Sequence, residues 1–366
     1  MDLWSRSRKF RFYSAGIAAE LLPDALFRQR LNRLLDGLDD EEIAALMPRV
    51  NYYNRLATPF DPGEESARVG DFRDTRRGTY YLDARRVVRH FPVEARFAWR
   101  FGDITRVAER PAIVKSRPIS DDPAGNANNV LLKLNRVRHF QFVRDRLTTA
   151  DKHPGLVWRG HCHHDNRREI LRRFHDHPRM DVGQTDRHRS ERVDYRPPLS
   201  IDEQLRYRFV LSLEGKDVAT NLKWILSSSS ICMMPPPRFE TWFMEGALQP
   251  WVHYVPLAPG GADLEEKMDL CLARPELGEE IVRNANAWVE QFRDARRERL
   301  LELLVMTRYL ALADQLELPA RLAPFMPECV GSAAGAQKAR AQRHEDRSHK
   351  PIHRPRKPRQ AAQSGR

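Results

Sequence analysis

Across residues 207–257 the hydrophobic pattern changes period twice. Phe209, Leu211 and Leu213 fall at period two and stop at Gly215, which predicts a half-buried strand running into a turn. Val218, Leu222, Ile225 and Leu226 then follow at i, i+4, i+7 and i+8, one face of a helix, with Asp217 in the N-cap position. Ser230 to Met234 make a short apolar run that three prolines end. Strand, turn, helix and strand together form a βαβ unit. Its crossover places the helix N-terminus at the carboxyl edge of a parallel sheet, where orphan N–H groups and the macrodipole favour an anion. Lys223 lies within reach of that edge. A βαβ unit by itself implies no ligand, and a helix lysine is ordinarily solvated.

The flanking sequence repeats these signals more weakly. From Ala18 to Leu46 leucines recur at helical spacing and Pro48 ends the run, while residues 57–78 carry loop composition. Ala95, Phe97, Trp99 and Phe101 alternate with Arg96, Ala98 and Arg100, a strand that stops at Gly102 and leaves Asp103 just past its end. A second strand is predicted over 112–119, and 129–147 leads out of this half. Residues 155–160, GLVWRG, predict a short strand ending on Arg159 and Gly160, followed by a helix that begins near Asp165. Residues 181–196 predict an exposed connection, 264–293 two short helices split near Pro275, and 297–318 a longer amphipathic helix. The expected organisation is two α/β halves, 1–150 and 151–320.

Composition permits that organisation. The 366 residues are 41% hydrophobic and 31% charged, enough for two domains that each bury a core. No apolar run approaches a membrane span, and the N-terminus lacks an apolar signal core, so the expected location is cytoplasmic. Cys162, Cys232, Cys271 and Cys329 show no paired spacing and are expected as reduced thiols. Of the formal +12 charge, +8 sits in the tail 332–366, whose Ala, Gln, Pro and Ser content predicts disorder. That tail suits attraction to anionic lipid head groups, or a solvating extension with no partner. Its charge also admits a rival from another class, a non-enzymatic basic protein that binds nucleic acid.

Several separated motifs carry a resemblance. RVNYYNRL at 49–56, RFGD at 100–103, WRG at 158–160, LEGKDVATNLKWILSSSS at 213–230, ETWFMEG at 240–246 and PWVHYVP at 250–256 resemble the glycosyltransferase family 90 proteins, in particular their bacterial lipopolysaccharide-core branch. The resemblance covers about residues 45–300. It implies a GT-B-like architecture, two Rossmann-type domains facing across a cleft, with a C-terminal helix closing the second. The implied activity is inverting transfer of a hexose from a UDP-sugar to a lipid-anchored core oligosaccharide at the inner face of the inner membrane. No nucleic-acid partner and no cofactor beyond the sugar donor are expected.

That chemistry needs a carboxylate to accept the acceptor's proton and cations to stabilise the diphosphate leaving group. The resemblance makes Asp103 the base. Arg159, with Gly160 beside it, and Arg167 become nucleotide contacts, joined by Ala219, Asn221 and Lys223; Arg168 adds charge near the same helix start. Asn221 departs from the pattern, because animal members carry an arginine there. Glu240 or Glu245 is expected on the ribose, and Trp251, His253 or Tyr254 on the base. No metal is expected: the chain has no Asp-x-Asp triplet, and adjacent ligands in the run His161 to His164 cannot all face one ion.

Overall fold

The computed structural model describes residues 3–73, 78–189 and 191–327. The basic tail and Cys329 lie outside them. No helix among the described residues is long and apolar enough to cross a membrane.

Three helices open the chain: α1 (Leu3–Glu20), α2 (Asp24–Asp36) and α3 (Asp40–Tyr53). Asp39 caps α3 in a reciprocal capping box with Glu42. Pro48 sits inside α3 and does not end it. Burial of Met47, Val50 and Tyr53 against the core holds the helix through the missing N–H. Then come β1 (Ala67–Arg68), α4 (Thr79–Val88), β2 (Arg96–Phe97), β3 (Trp99–Arg100), β4 (Ala112–Val114), β5 (Ser116–Pro118), β6 (Asn129–Leu131) and α5 (Arg136–His139). The strand expected at 95–101 is divided because its halves have different partners: β2 runs antiparallel to β1, and β3 parallel to β4. The strand at 112–119 is divided at Lys115 for the same reason. Its β4 segment joins the parallel sheet β3-β4-β6, while β5 pairs with a strand from the other half of the chain.

That second half comprises β7 (His153–Gly160), α6 (Asp165–Phe174), β8 (Met180–Gln184), α7 (Ile201–Gln204), β9 (Tyr207–Leu211), α8 (Leu222–Leu226), β10 (Ile231–Met234), β11 (Phe239–Thr241), β12 (Val255–Pro256), α9 (Leu264–Ala273), α10 (Pro275–Glu290) and α11 (Ala295–Leu312). Its parallel sheet has the order β12-β10-β9-β7-β8, so the chain winds outward in both directions from a reversal between β7 and β9. The antiparallel partner of β5 is β11. The expected exposed connection at 181–196 is partly wrong, because Met180–Gln184 is an edge strand with Val182 fully buried.

Both faces of this sheet are covered. Val157, Val210 and Met234 belong to one apolar cluster with α8, α10 and α11, whereas Leu156, Phe209 and Met233 belong to another with α6 and α9. This explains why the consecutive residues Phe209, Val210 and Leu211 of β9 are all buried, where its alternation predicts a half-buried strand. The first cluster continues without a break into α2, α3, β4 and β6. Along its middle runs α11, buried on nearly every side where an amphipathic helix is expected.

Glu298 on α11 is a polar centre inside that cluster. Its carboxylate accepts from Arg49 at 2.7 Å, Lys133 at 2.5 Å and the Trp242 indole at 2.8 Å. Three segments distant in sequence therefore converge on one buried anion. Glu298→Ala leaves two buried cations without their partner and is expected to lower unfolding free energy by about 3–5 kcal/mol. Urea denaturation followed by tryptophan fluorescence measures this, and a loss under about 1 kcal/mol would show that the network is incidental.

Candidate active site

The reversal between β7 and β9 is where an open α/β sheet leaves a crevice at its carboxyl edge. A cavity of about 310 Å³ lies there, lined by Arg159, Gly160, Arg167, Asp217 and Asn221 from the second half and by Asp103, Arg138 and His139 from the first. Two segments far apart in sequence thus supply opposite walls.

On the sheet side, Arg167 projects from the first turn of α6. Its guanidinium donates to the carbonyls of Leu213 at 2.7 Å, His161 at 2.9 Å and Glu214 at 3.1 Å, and sits over the Trp158 ring. Gly215 allows this approach, since a Cβ there would lie 3.2 Å from the guanidinium. Burial, with Arg138 adding repulsion, lowers the Arg167 pKa. Among the described residues no carboxylate pairs with Arg167, so its charge is balanced only by carbonyl dipoles. A partly desolvated cation in that state attracts an anion strongly.

Arg159 is placed differently. Its guanidinium grips the Asp181 carboxylate at 2.7 and 2.8 Å and donates to the Pro197 and Asp181 carbonyls. It lines the cavity with its charge already compensated. Asn221 also lines it, and its amide donates to the Leu211 carbonyl, tying the loop to the end of β9. Arg168 faces away from this cavity and pairs with Asp165 at 2.9 Å.

Lys223 is not at the crevice. The helix begins at Leu222, and Asp217, expected as its cap, instead bonds Lys115 and Ser116. The shortened helix turns Lys223 inward, where it is 0% exposed, paired with Glu245 and set beside the Phe243 ring. Glu245 accepts a further bond from Thr241 N at 2.6 Å. Glu240 is equally committed: Arg117 donates to it at 2.6 Å, and Tyr52 holds its other oxygen. Ala219 and Glu245 border a neighbouring cavity of about 360 Å³, divided from the first by the segment 214–221 and sharing Val218 with it. Trp251, His253 and Tyr254 line neither cavity.

On the opposite wall, Gly102 adopts φ +106°, a conformation closed to most residues, and turns the chain so that Asp103 enters the cavity. The Asp103 carboxylate is 37% exposed and accepts from Lys115 Nζ at 2.7 Å. Lys115, 2% exposed, contacts Asp217 at the same distance. Partial burial pushes the Asp103 carboxyl up. The Lys115 hydrogen bond and charge, with Arg138 and Lys216, more than offset this and leave its pKa below the ordinary value.

Two residues of this wall, Arg138 and His139, escaped the sequence reading. His139 is buried, and neither ring nitrogen has a hydrogen-bond partner among the described residues. Burial, reinforced by Lys115, Lys223 and Arg138, holds its pKa well below the usual histidine value, so the ring is neutral. Nothing in the run NRVRHF signals this, because the cavity it faces is closed by residues from the other half of the chain.

His161, His163 and Asp186 bring ligand atoms within 4.8 Å of one another. Asp186, however, already accepts from His188 N and lies 3.7 Å from Arg189, and Arg167 bonds the His161 carbonyl. Arginines disfavour a cation here.

The chain is 44% identical over 309 residues to O-glucosyltransferase LpsA of Dichelobacter nodosus, an alignment spanning 84% of this chain and 96% of that protein. It also matches the family described as Glycosyl transferase family 90 over residues 133–314. The chain belongs to glycosyltransferase family 90. A shorter similarity, 33% over 89 residues, links it to protein 035R of Invertebrate iridescent virus 3 and covers only 8% of that protein. Within this family 90 chain the matched span holds the sheet-side wall together with Arg138 and His139, and Asp103 precedes it.

The electrostatics of Asp103 can be tested without substrate. Its folded pKa lies below the unfolded value, so its contribution to stability is present above the ordinary carboxylate range and disappears as pH falls through the folded value. Lys115→Met removes the main cation holding it down. Carboxyl titration by carbon NMR should then show the Asp103 pKa rising in the variant, and an unchanged value would remove Lys115 from control of this carboxylate.

Proposed function

We propose that this chain is an inverting glycosyltransferase that moves a hexose, glucose in the simplest reading of its relative's name, from a UDP-sugar to a lipid-anchored lipopolysaccharide-core oligosaccharide. One observation carries the proposal: an ionised carboxylate, Asp103, faces an arginine without a counter-anion, Arg167, across a single cavity at the sheet reversal. The two groups match the two ends of a displacement. Asp103 accepts the proton of the acceptor hydroxyl as its oxygen bonds the anomeric carbon. The bond from that carbon to the diphosphate breaks, and the leaving charge develops toward Arg167, with Lys216 on the same wall and Arg138 across the cavity.

This is a GT-B-like division of labour, with the acceptor on the β3-β4-β6 side and the donor on the five-stranded side. Three cations around the cavity supply the neutralisation that other transferases obtain from a divalent ion, so the proposed reaction is metal-independent. A cytoplasmic position at the inner face of the inner membrane follows from the proposed donor and acceptor. Calorimetry with UDP against a short DNA duplex separates this reading from the nucleic-acid alternative: binding of the duplex and none of UDP would favour the latter.

Asp103→Asn preserves shape and removes basicity, so turnover should fall by roughly 10²–10⁴-fold while UDP affinity stays within about twofold. An α-linked donor should give a β-linked product. An Asn variant with wild-type turnover would exclude Asp103 as the base and leave Asp217 as the other carboxylate among the described residues lining the cavity.

Arg167→Lys keeps the charge but loses the planar fork. Loss of charge-assisted bonds to the diphosphate should weaken UDP binding by about tenfold or more, with the alanine variant weaker still. Unchanged UDP binding by calorimetry in both variants would place the diphosphate elsewhere.

A further inference from the structure

We propose that the outward face of α1 and the corner into α2 form the surface on which this protein docks to an anionic lipid bilayer. The reason for docking rests on the lipid-anchored acceptor proposed above. The surface itself rests on independent observations.

Exposed large apolar side chains are not scattered over this protein. Of the eleven among the described residues, six fall between positions 10 and 26: Phe10 at 74% exposure, Tyr13, Ile17, Leu21 at 82%, Leu22 and Leu26. Phe10, Tyr13 and Ile17 follow at i, i+3 and i+7, one stripe of α1, and Leu21 extends it into the turn beyond Glu20. The opposite stripe faces the body of the protein. Arg8 donates to the Val137 carbonyl at 2.6 Å, Arg136 sits over the Phe12 ring, and Gly16 lies against Leu82. The apolar stripe therefore points away from the fold with nothing of the described chain upon it.

Charge selects the occupant. Between residues 3 and 30 the carboxylates are Glu20 and Asp24, and both turn inward. Glu20 accepts from Tyr81 at 2.9 Å, and Asp24 is held by Arg85 at 2.5 Å and Arg89 at 2.8 Å. Lys9, Arg11 and Arg30 stand exposed along the same two helices. An apolar stripe rimmed by cations, with its acids withdrawn, suits the boundary between acyl chains and anionic head groups. A rim of one sign favours an anionic surface over one of mixed charge.

The position also suits the chemistry. α1 rests on α5, whose Arg138 and His139 line the cavity on the Asp103 side. A bilayer against α1 would thus lie one helix layer from the acceptor wall.

The test uses the full chain with vesicles of phosphatidylcholine, alone or mixed with phosphatidylglycerol. The protein should co-sediment with the mixed vesicles, and the triple variant Phe10→Ser, Ile17→Ser, Leu21→Ser should bind them about tenfold more weakly, with unchanged far-UV circular dichroism and unchanged UDP binding. Lys9→Glu with Arg11→Glu should remove the preference for the anionic lipid. Equal binding by the wild type and the triple variant would overturn the proposal and leave membrane attraction to the basic tail. A concentration-dependent dimer in solution that the triple variant abolishes would also overturn it, by assigning the stripe to a second copy. Vesicle binding through the stripe by a chain that fails to bind UDP would retain this surface and discard the glycosyl-transfer reading.

Discussion

A buried lysine is tolerated only where carboxylates compensate its lost hydration, and Lys115 meets that condition by drawing one from each half of the chain. Asp103 approaches from the loop after β3, and Asp217 from the loop after β9. The ammonium cannot part from Asp217 without leaving a charge stranded in the interior. Ser116 donates to Asp217 at 2.6 Å, and Arg117, also buried, reaches Glu240 and the carbonyl of Tyr52. Three consecutive polar side chains at the junction of β4 and β5 thus fasten α3, β11 and the crevice loops to one another. The position of Asp103 is a consequence of that fastening.

The same economy of buried charge explains which candidate residues stand at the cavity and which do not. Lys223, Glu240 and Glu245 sit in motifs that resemble family 90 sequences, and each is engaged in an internal ion pair. Such pairs fix the ETWFMEG segment against α8 and β5, and of the three residues only Glu245 borders a cavity, the one beside the crevice. Arg167 is the exception. Its partners are carbonyls, so it organises the loops after β7 and β9 and still retains its full charge toward the cavity.

What the sequence made legible was decided by local physics. Strand β7, the start of α6 near Asp165, the β9 and β10 runs and the break at Pro275 all follow from periodicity and from glycine or proline. Asp103 at a strand end was legible for the same reason. The failures have a common cause in tertiary contact. Pro48 is carried through its helix by core packing, Asp217 is taken from its cap by Lys115, and β8 hides polar residues at a sheet edge. His139 could not be found at all, because its meaning depends on a cavity whose other wall begins about twenty residues later in the chain. The resemblance supplied the family, but it carried Lys223, Glu240 and Glu245 as contacts that burial removes from the crevice.

Two carboxylates flank Lys115, and their environments push them apart. Asp217 is buried and hydrogen-bonded to Ser116; desolvation dominates there and raises its pKa, whatever Lys115 returns. Asp103 is the more exposed of the two, and cations dominate in keeping it ionised. A depressed pKa makes Asp103 a weak base in the resting cavity, which at first sight suits proton abstraction poorly. The objection loses force when proton transfer is coupled to bond formation, because the hydroxyl becomes strongly acidic only as its oxygen bonds the anomeric carbon. In the proposed reaction, a carboxylate that is ionised, already in place and weakly basic toward water would accept the proton at the moment it becomes available. Neutral His139 beside it adds no competing positive charge to the acceptor wall. Asp217 holds the lysine and Asp103 is the one left open to the cavity for the role proposed for it, and the difference between them arises from exposure more than from residue type.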